Sequence, residues 1–212
     1  MIEDHEEEQD DHLEDKPRHF TITYGDISLL QLRDGAIVNP SNTGLILGSG
    51  VSEAIARRAG PDFQQKLHTT RSRLPGNRLD PGRAIDTESG GLSSKRLIHV
   101  SIVGKKKVDK RLITNSIINV YDLAEEIGIT QIAFPALGVG LGKFPVEQFV
   151  ELFFQITCEE LPRSETLEHV ILCLFDEAEF EVARAYAEAH QDEVPPSITM
   201  EVKASSGWTG FS

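Results

Sequence analysis

Cysteine is scarce in this sequence, and its scarcity argues against several kinds of site. The chain of 212 residues has two cysteines, Cys158 and Cys173. They form no Cys-x-x-Cys pair, and no cysteine and histidine lie at the spacing typical of zinc ligands. Cys158 falls in a predicted helix and Cys173 in a predicted strand, so we expect both to be buried, reduced thiols. We therefore expect no metal site. We also expect no cofactor.

Long apolar runs are also missing. A membrane-spanning helix needs about 20 predominantly apolar residues in succession, and no stretch of this chain approaches that length. The first residues, MIEDHEEEQDDHLEDK, are acidic, whereas signal and transit peptides carry basic residues. We therefore expect a cytoplasmic protein that has no membrane partner.

Basic residues are few relative to acidic ones, and the excess of acid is concentrated at the N-terminus. The formal net charge is −13, which argues against a nucleic-acid partner because such binding needs a basic footprint. Residues 1–19 contain nine acidic and two basic side chains. This composition predicts a disordered acidic tail over residues 1–18. A solubilising tail is the simpler interpretation, and an arm that competes for a basic site is the alternative.

Hydrophobic periodicity predicts strands that alternate with helices. The main strands lie in HFTITYG, AIVNP, KRLIHVSIV, TQIAFPA and LEHVILCLF, with a shorter strand around Arg83–Thr87. The clearest helix runs from Asp109 to Gly128, because apolar residues recur there every three or four positions. Residues 191–212 show no strong period and are predicted to be a loose C-terminal tail.

The interior strands are apolar on both faces, which is typical of a parallel sheet covered by helices on each side. The predicted fold class is therefore α/β, with a mainly parallel sheet in one domain over residues 19–190. In such sheets, ligands bind beyond the carboxyl ends of the strands. The loops that follow strands are consequently the places where a site is expected.

Two of these loops carry residues suited to a nucleotide. In TYGDI, the Asp26 carboxylate can accept a hydrogen bond from an exocyclic amine or cap the short helix that follows. In NPSNTGLILGSGV, residues 39–51, glycines lead into a helix whose free N–H groups and dipole favour an anion. A turn with a helix cap explains the second stretch equally well, so both interpretations stay open from the residues alone.

A third loop, PALGVGLGKFP at residues 135–145, has glycines at every second position. It is not a P-loop, because GxxxxGK followed by Ser or Thr would need a glycine at Leu137 and a hydroxyl at Phe144. It does not fit the dinucleotide pattern GxGxxG either, since the third glycine would fall at Lys143. The loop follows a strand and precedes a helix, so a generic phosphate cradle is the interpretation that survives.

The fourth loop begins at Phe175, at the end of the strand LEHVILCLF. An aromatic ring in that position can stack on a nucleotide base, although a core aromatic is the more common explanation. No Ser-His-Asp or Cys-His set is evident in the sequence. His99 lies inside the apolar strand KRLIHVSIV, and we interpret it as a satisfied core histidine.

Taken together, these loops resemble those of the macrodomain family. The resemblance rests on GDI, NPSNTGLILGSGV, LIHVSIVG, IAFPALGVGLGKFPVEQ and LCLFDEAEF, which occur in the family's order and spacing. It extends from about Phe20 to His190, and the loop at 135–145 is similar to that of a prokaryotic branch with a glycine-rich second loop. The resemblance implies a three-layer α/β/α sandwich with a mixed, mainly parallel central sheet and an ADP-ribose cleft at the strand ends.

The resemblance also implies roles for individual residues. Asp26 would accept from the adenine amino group with help from the Ile27 backbone, Phe175 would border the adenine, and Asn42 would contact the distal ribose. Two loops would wrap the phosphates and ribose: Gly48, Ser49, Gly50 and Val51 in the first, and Gly138, Val139, Gly140, Leu141 and Gly142 in the second. Backbone N–H groups in such loops neutralise phosphate without cationic side chains.

Two stretches depart from the family pattern. Relatives similar to mono-ADP-ribosyl hydrolases carry GGGVD, and Ser52 stands here in place of the aspartate that helps to position or activate water. Glu53 is adjacent, but neighbouring helical residues point about 100° apart. The second loop commonly reads GVYGYP, so Gly142 replaces a tyrosine that covers the distal ribose, and Lys143 replaces a glycine. We expect a more open cleft there, with Lys143 adding a cation near the phosphates.

These features favour a module that binds free ADP-ribose or ADP-ribosylated proteins. The alternative is a hydrolase that removes ADP-ribose from modified acidic side chains or deacetylates O-acetyl-ADP-ribose, with Asn42 as the candidate catalytic residue. A binder of other nucleotides or of RNA ends is a third interpretation, which the acidic charge weakens. Nothing in the sequence indicates an oligomeric state.

Overall fold

Strands and helices alternate along the chain, as the periodicity predicts. The computed structural model describes residues 17–48, 50–103 and 107–203. The strands are β1 (Arg18–Tyr24), β2 (Leu32–Asn42), β3 (Ala84–Glu88), β4 (Ser94–Val103), β5 (Gln131–Phe134), β6 (His169–Leu174) and β7 (Ile198–Lys203). The helices are α1 (Val51–Ala59), α2 (Phe63–Ser72), α3 (Lys110–Glu126), α4 (Val146–Glu160) and α5 (Glu177–Ala189).

In the described part of the chain, seven strands form one sheet in the order β3-β4-β2-β5-β6-β1-β7. Neighbouring strands are parallel except for β3 and β4, which are antiparallel. The predicted mixed, mainly parallel sheet is therefore confirmed. Because β1, β2, β5 and β6 run in the same direction, their carboxyl ends share one edge of the sheet. The loops that follow these four strands consequently meet on that side.

Helices cover both faces of the sheet. Along β6, Val170, Leu172 and Leu174 pack in the core that contains α3, α4 and α5. The alternate residues Ile171 and Cys173 pack in a second core with α1 and α2. This alternation follows from the two-residue period of a strand. It explains why the strand is apolar throughout, and it confirms the three-layer α/β/α sandwich.

Helix α3 shows how local sequence builds these layers. Asp109 caps its first turn by accepting a hydrogen bond from the Leu112 amide at 2.8 Å. The chain leaves the helix at Gly128, which has a φ of 64° suited to a residue without a side chain. The apolar positions spaced by three or four are buried against the sheet: Ile113, Ile117, Val120 and Ala124.

The predicted domain boundaries, residues 19 and 190, both differ from those of the sheet. Strand β1 begins at Arg18, one residue inside the predicted acidic tail. Ile198–Lys203, predicted to lie in a loose tail, forms β7 and pairs in parallel with β1. Only Ile198 of this strand is fully buried, so an edge strand of this kind shows little hydrophobic alternation. Residues 1–16 and 204–212 of the predicted tails lie outside the described residues.

The two cysteines are free thiols, and they differ in exposure. Cys173 is buried as expected, whereas Cys158 is only partly buried. Burial raises the pKa of the Cys158 thiol to about 11. Among the described residues, no group of three or more His, Cys, Asp or Glu side chains is placed to hold a metal ion. No helix within the described ranges has the length and apolarity needed to span a bilayer.

Candidate functional site

A cleft of about 540 Å³ opens at the carboxyl ends of β1, β2, β5 and β6. This volume lies within the roughly 300–1,000 Å³ range of small-molecule sites. Gly48 and Lys143 do not line the cleft, and Ser49 lies outside the described residues. The other predicted site residues do line it: Asp26, Ile27, Asn42, Gly50, Val51, Gly138, Val139, Gly140, Leu141, Gly142 and Phe175.

One end of the cleft is formed by the turn after β1. Asp26 Oδ1 accepts hydrogen bonds from the Ser28 amide at 2.9 Å and from the Ser28 hydroxyl at 2.6 Å, so it caps the 3-10 turn Ile27–Leu29. Within the described ranges, Asp26 Oδ2 and the Ile27 amide form no hydrogen bond. The carboxylate therefore fits both interpretations at once, because it caps the turn and keeps one acceptor oxygen for a ligand.

The same end of the cleft carries an exposed aromatic ring. Phe175, directly after β6, is 71% exposed although it lines the cleft, so it is not a core aromatic. Asp176 caps α5 by accepting hydrogen bonds from the Ala178 amide at 2.9 Å and the Glu179 amide at 3.1 Å. This cap fixes the chain just beyond the ring. An exposed ring at a cleft mouth is suited to stacking on a flat ligand group.

Two titratable groups near this end were missed from the sequence. Glu179 lines the cleft; burial, and then the nearby Asp176 carboxylate, raise its pKa because both disfavour the charged form. Cys173 also lines the cleft, and its thiol donates to the Gly25 carbonyl at 3.4 Å. Burial, and then Asp26, raise the pKa of this thiol to about 12. Cys173 is therefore protonated at neutral pH and is no nucleophile.

The first loop, residues 43–50 between β2 and α1, is organised by Asn42. Its Oδ1 accepts hydrogen bonds from the Gly44 amide at 2.9 Å and the Ile46 amide at 3.2 Å, and its Nδ2 donates to the Ile46 carbonyl at 2.9 Å. Between these residues Leu45 adopts a left-handed conformation, with φ of 52°. Asn42 lines the cleft as predicted, but its polar atoms are used to shape the loop.

The first loop ends at the start of α1, where the backbone is open to an anion. Gly50 is the N-cap, with φ of 56° and ψ of −133°, and no side chain caps the helix. The amides of Val51 and Ser52 form no hydrogen bond with any described residue. These amides lie at the positive end of the helix dipole, so they favour a negatively charged group.

Neighbouring residues of α1 face in different directions. Ser52 is buried, and its hydroxyl donates to Asn39 Oδ1 at 2.8 Å, with the Pro40 carbonyl oxygen 2.9 Å away. Glu53 is exposed and lines the cleft, as does Arg57 one turn later. Both were missed as site residues. The four-residue spacing from Glu53 to Arg57, on the helix face that begins at Gly50, is the signal that could have found them.

A chain of buried hydrogen bonds continues inward from Ser52. Asn39 Nδ2 donates to His99 Nδ1 at 3.0 Å, and His99 Nε2 lies 3.1 Å from the Thr87 hydroxyl. Because Thr87 donates to the Glu88 carbonyl, the network assigns the Nε2–H tautomer to His99. Burial lowers the pKa of His99 to about 3. The imidazole is therefore neutral at pH 7 and is a satisfied core histidine, as predicted.

The second loop, residues 135–145 between β5 and α4, offers its backbone to the cleft. The amides of residues 139–142 form no hydrogen bond with any described residue. The next two amides close the loop, since Lys143 donates to the Gly140 carbonyl at 3.1 Å and Phe144 to the Gly138 carbonyl at 3.0 Å. Successive unpaired amides in a turn are typical of an anion cradle, which is what the sequence predicts for this loop.

The glycines of the second loop are required for different reasons. A Cβ on Gly138, which has φ of 76°, would lie 2.8 Å from Val108 Cγ1. A Cβ on Gly142 would lie 2.3 Å from the Gly138 carbonyl oxygen and 2.7 Å from Val108 Cγ2. A Cβ on Gly140 would have nothing within 4 Å. The packing of the protein therefore requires Gly138 and Gly142, whereas Gly140 leaves space beside the cleft.

The structure revises the expectations for the last part of this loop. Lys143 is exposed and does not line the cleft; Arg57 is the cation among the described lining residues. Gly142 does more than omit a lid, because a side chain there would collide with Gly138 and Val108. Leu141, which is 72% exposed, is the large side chain that this loop places at the edge of the cleft.

Comparison with known sequences agrees with this geometry. The chain matches the Macro domain family over residues 38–153. It is 32% identical over 157 residues to a macro domain-containing protein of Caldanaerobacter subterraneus subsp. tengcongensis, with 72% of this chain and 88% of the relative covered. It is 30% identical over 164 residues to an O-acetyl-ADP-ribose deacetylase of Cronobacter sakazakii, with 76% of this chain and 89% of the relative covered.

Comparison with solved structures gives the same result. A mutant of the Oceanobacillus iheyensis macrodomain, solved with ADPR, matches with a TM-score of 0.74 and 25% sequence identity. The match covers 81% of this chain and 92% of that chain. The sequence match includes the first loop, the second loop and the strands that position both. The chain therefore belongs to the macro domain family.

Proposed function

We propose that this chain binds ADP-ribose, free or attached to a protein, in the cleft at the strand carboxyl ends. One observation carries the proposal: the cleft combines the unused Asp26 oxygen and the Phe175 ring with two runs of unpaired amides, at residues 51–52 and 139–142. The relative named as an O-acetyl-ADP-ribose deacetylase and the neighbour solved with ADPR support the same ligand class.

The adenine fits the Asp26 end because its hydrogen-bond polarity is complementary. The Watson–Crick edge of adenine pairs an amino donor with a ring-nitrogen acceptor, and proteins read unpaired bases on this edge. The free Asp26 oxygen is an acceptor and the Ile27 amide is a donor, in the matching order. Guanine and hypoxanthine present the opposite polarity on this edge. The Phe175 ring then covers one face of the base.

The diphosphate fits between the two loops. The amides of Val51 and Ser52 and those of residues 139–142 supply hydrogen-bond donors, and the α1 dipole adds favourable potential. Among the described lining residues, Arg57 is a cation, whereas Glu53 and Glu179 are acidic. The binding of an anion here relies on backbone groups placed at short range rather than on a positive surface.

Calorimetry with ADP-ribose, AMP and adenosine tests this proposal. We expect ADP-ribose to bind more tightly than AMP, and AMP more tightly than adenosine, because each shorter ligand loses contacts with the loop amides. Equal affinities for ADP-ribose and AMP would contradict the use of both loops.

Substitution of Asp26 tests the adenine contact. Asp26→Asn keeps one oxygen to cap Ser28 but places an amide donor against the adenine amino group. We expect ADP-ribose affinity to fall by about 10- to 100-fold, since a hydrogen bond to a charged group contributes about 1.5–3 kcal/mol. The melting temperature should stay near that of wild type in Asp26→Asn and fall in Asp26→Ala, which loses the cap. Unchanged affinity in both variants would refute the adenine role.

A second candidate function is hydrolysis of an ester carried by ADP-ribose. The relative named as a deacetylase favours it, and so does Glu53, a carboxylate that lines the cleft. Ser52 cannot act as the base, because a neutral hydroxyl is too weakly basic to take a proton from water. Water would add to the ester carbonyl carbon while Glu53 takes its proton. The bond from that carbon to the ribose oxygen then breaks, the ribose oxygen takes the proton from Glu53, and the acid leaves and ionises.

Acetate release from O-acetyl-ADP-ribose tests hydrolysis. Glu53→Gln keeps the size of the side chain and removes the base. We expect its turnover to be about 100-fold or more below that of wild type, with unchanged affinity for ADP-ribose. If wild type releases no acetate, the hypothesis that the protein hydrolyses this ester is rejected, and the binding proposal still stands.

The predicted catalytic role of Asn42 needs a separate assay. Its amide shapes the first loop, which supports an indirect contribution to catalysis. With an ADP-ribosylated carboxylate as substrate, Asn42→Ala should therefore raise KM more than it lowers kcat. A large loss of kcat with unchanged KM would instead assign Asn42 to the chemical step.

The rim of the cleft favours an ADP-ribosyl group that is attached to a protein. Ile46 is 57% exposed and Leu141 is 72% exposed, and both line the cleft. Exposed apolar side chains beside a ligand site are suited to contact with a macromolecule. A cytoplasmic location and the lack of a nucleic-acid partner stay predictions from the sequence.

A further inference from the structure

Helix α2 also holds the first loop, through contacts separate from those of Asn42. Gln64 Oε1 accepts a hydrogen bond from the Leu47 amide at 2.9 Å, and Gln64 Nε2 donates to the Leu45 carbonyl at 3.2 Å. A single side chain amide thus pairs with a donor and an acceptor of the loop backbone, as a neighbouring strand would. Because Leu45 is the residue with φ of 52°, the contact fixes the loop at its most unusual conformation.

Arg71 adds a second contact to the same loop. Its Nη1 donates to the Gly44 carbonyl at 3.2 Å. Its Nε is buried and has no partner among the residues that the structure describes. Gln64 forms two hydrogen bonds with the loop backbone, so it contributes more to the contact between α2 and the loop than Arg71 does.

Helix α2 is a rigid support for these two side chains. Phe63 and Leu67 are buried in the core between the sheet and α1. Gln64 and Arg71 are seven residues apart, so they lie two turns apart on nearly the same face. No described residue of α2 lines the cleft. The polar contacts of the helix with the site therefore run through the backbone of the first loop.

We propose that Gln64 and Arg71 are positioning residues that order the first loop before a ligand arrives. They contact Gly44, Leu45 and Leu47, and not the ligand. Fixing the backbone of a residue costs conformational entropy, and a loop that is already ordered removes this cost from binding. The inference rests on the proposed function, since it predicts an effect on ADP-ribose affinity.

Gln64→Ala and Gln65→Ala form a matched pair for the test. The two glutamines are neighbours on α2, and the Gln65 side chain forms no hydrogen bond with the described residues. We expect Gln64→Ala to weaken ADP-ribose binding about tenfold, which corresponds to the ordering entropy of one residue. Calorimetry should show that the binding entropy becomes less favourable, and hydrogen exchange at the Leu47 amide should become faster. Gln65→Ala should change none of these.

Two further measurements separate positioning from a general loss of stability. Hydrogen exchange at the amides of β2 and β4 should stay slow in Gln64→Ala, because the sheet does not depend on this contact. Gln64→Glu keeps the acceptor for the Leu47 amide and loses the donor to Leu45. Its affinity and its Leu47 exchange rate should therefore lie between those of wild type and Gln64→Ala.

Each outcome decides the proposal. Faster exchange at Leu47 without a loss of affinity would overturn it, and so would equal losses of affinity in the two alanine variants. If wild type does not bind ADP-ribose, the proposed function fails and exchange alone decides whether Gln64 orders the loop. Unchanged exchange at Leu47 in Gln64→Ala would then overturn the inference, and faster exchange would support it.

Discussion

The two loops that line the cleft keep their shapes by opposite means. Side chains hold the first loop: Asn42 contacts it from the end of β2, and Gln64 and Arg71 contact it from α2. The second loop depends on missing side chains, because Gly138 and Gly142 let its backbone fold onto itself and onto Val108. The first loop is therefore weakened by removing atoms, and the second by adding them.

The largest expected effect comes from adding one methyl group to the second loop. Gly142→Ala would place a Cβ 2.3 Å from the Gly138 carbonyl oxygen, so the loop and Val108 must move apart. We expect the free energy of unfolding to fall by about 3 kcal/mol, at the upper end of the usual cost of overpacking. Urea titration measures it. The matched control is Gly140→Ala, which meets no neighbour within 4 Å; equal losses in the two would contradict the steric argument.

Acid should lower the stability of the protein through His99, to which the start of α1 is linked by Ser52 and Asn39. The pKa of His99 is about 3 in the folded protein and about 6.5 when unfolded. The unfolded chain therefore binds more protons between these values, and stability is lost as pH falls below about 6.5. His99 alone should lower the free energy of unfolding by about 2 kcal/mol between pH 7 and pH 5.

His99→Gln is the control for this pH dependence. Its slope of stability against pH should be smaller than that of wild type but not zero. Burial also lowers the pKa of His169, to about 4, so His169 contributes loss over an overlapping range. An unchanged slope in His99→Gln would show that His99 does not control the acid response.

The first loop is tested by removing atoms rather than by adding them, at the Asn42 side chain. Asn42→Ala loses three hydrogen bonds to Gly44 and Ile46. We expect a loss of about 1.5 kcal/mol in unfolding free energy, together with faster hydrogen exchange at the Ile46 amide. Asn42→Asp keeps both acceptor bonds and should lose less. Unchanged exchange at Ile46 in Asn42→Ala would show that other contacts hold the loop.

Gly140→Ala should separate binding from stability in the second loop. The added methyl group has room in the protein but enters the space beside the unpaired amides of residues 139–142. We expect ADP-ribose affinity to fall about tenfold, or about 1.4 kcal/mol, while the urea midpoint stays at the wild-type value. Wild-type affinity in this variant would place the phosphates elsewhere.

The smallest expected effect is a gain in stability at Lys143. This residue has φ of 52°, a left-handed conformation that glycine adopts without strain. Lys143→Gly should raise the unfolding free energy by about 0.5 kcal/mol, because the relieved strain exceeds the added entropy of an unfolded glycine. Lys143→Ala keeps the strain and should match wild type. A gain in Lys143→Ala equal to that in Lys143→Gly would assign the effect to the charge instead.

Sequence periodicity was enough for the elements whose burial is regular. Strand β6 and helix α3 were predictable because every second or every third to fourth residue packs into a core. Strand β7 was missed because only Ile198 is buried, whereas Thr199 is exposed and the other four residues are partly buried. Its place in the sheet comes from backbone pairing with β1, which leaves no periodic pattern in the sequence.

The candidate site was predictable where a residue acts through its own chemistry or its backbone. Asp26, Phe175 and the glycines of the second loop were found in this way, and the structure places them in one cleft. Glu53, Arg57 and Glu179 were missed because charged residues on a helix surface resemble any solvated face. The role of Gln64 could not be predicted from the sequence, because its contacts join residues that are 17 and 19 positions apart.

The chain of hydrogen bonds from Ser52 to Thr87 has a direction, and one residue in the cleft wall sets it. An aspartate at position 52 would be an acceptor where the Ser52 hydroxyl is a donor, so the Asn39 amide would have to turn its NH₂ group toward the cleft. Asn39 would then offer its oxygen to His99, which would have to carry its proton on Nδ1, and Thr87 would donate to Nε2 instead of to the Glu88 carbonyl. The identity of residue 52, serine or aspartate, thus determines which ring nitrogen of His99 carries the proton, although His99 lies in the middle of the sheet.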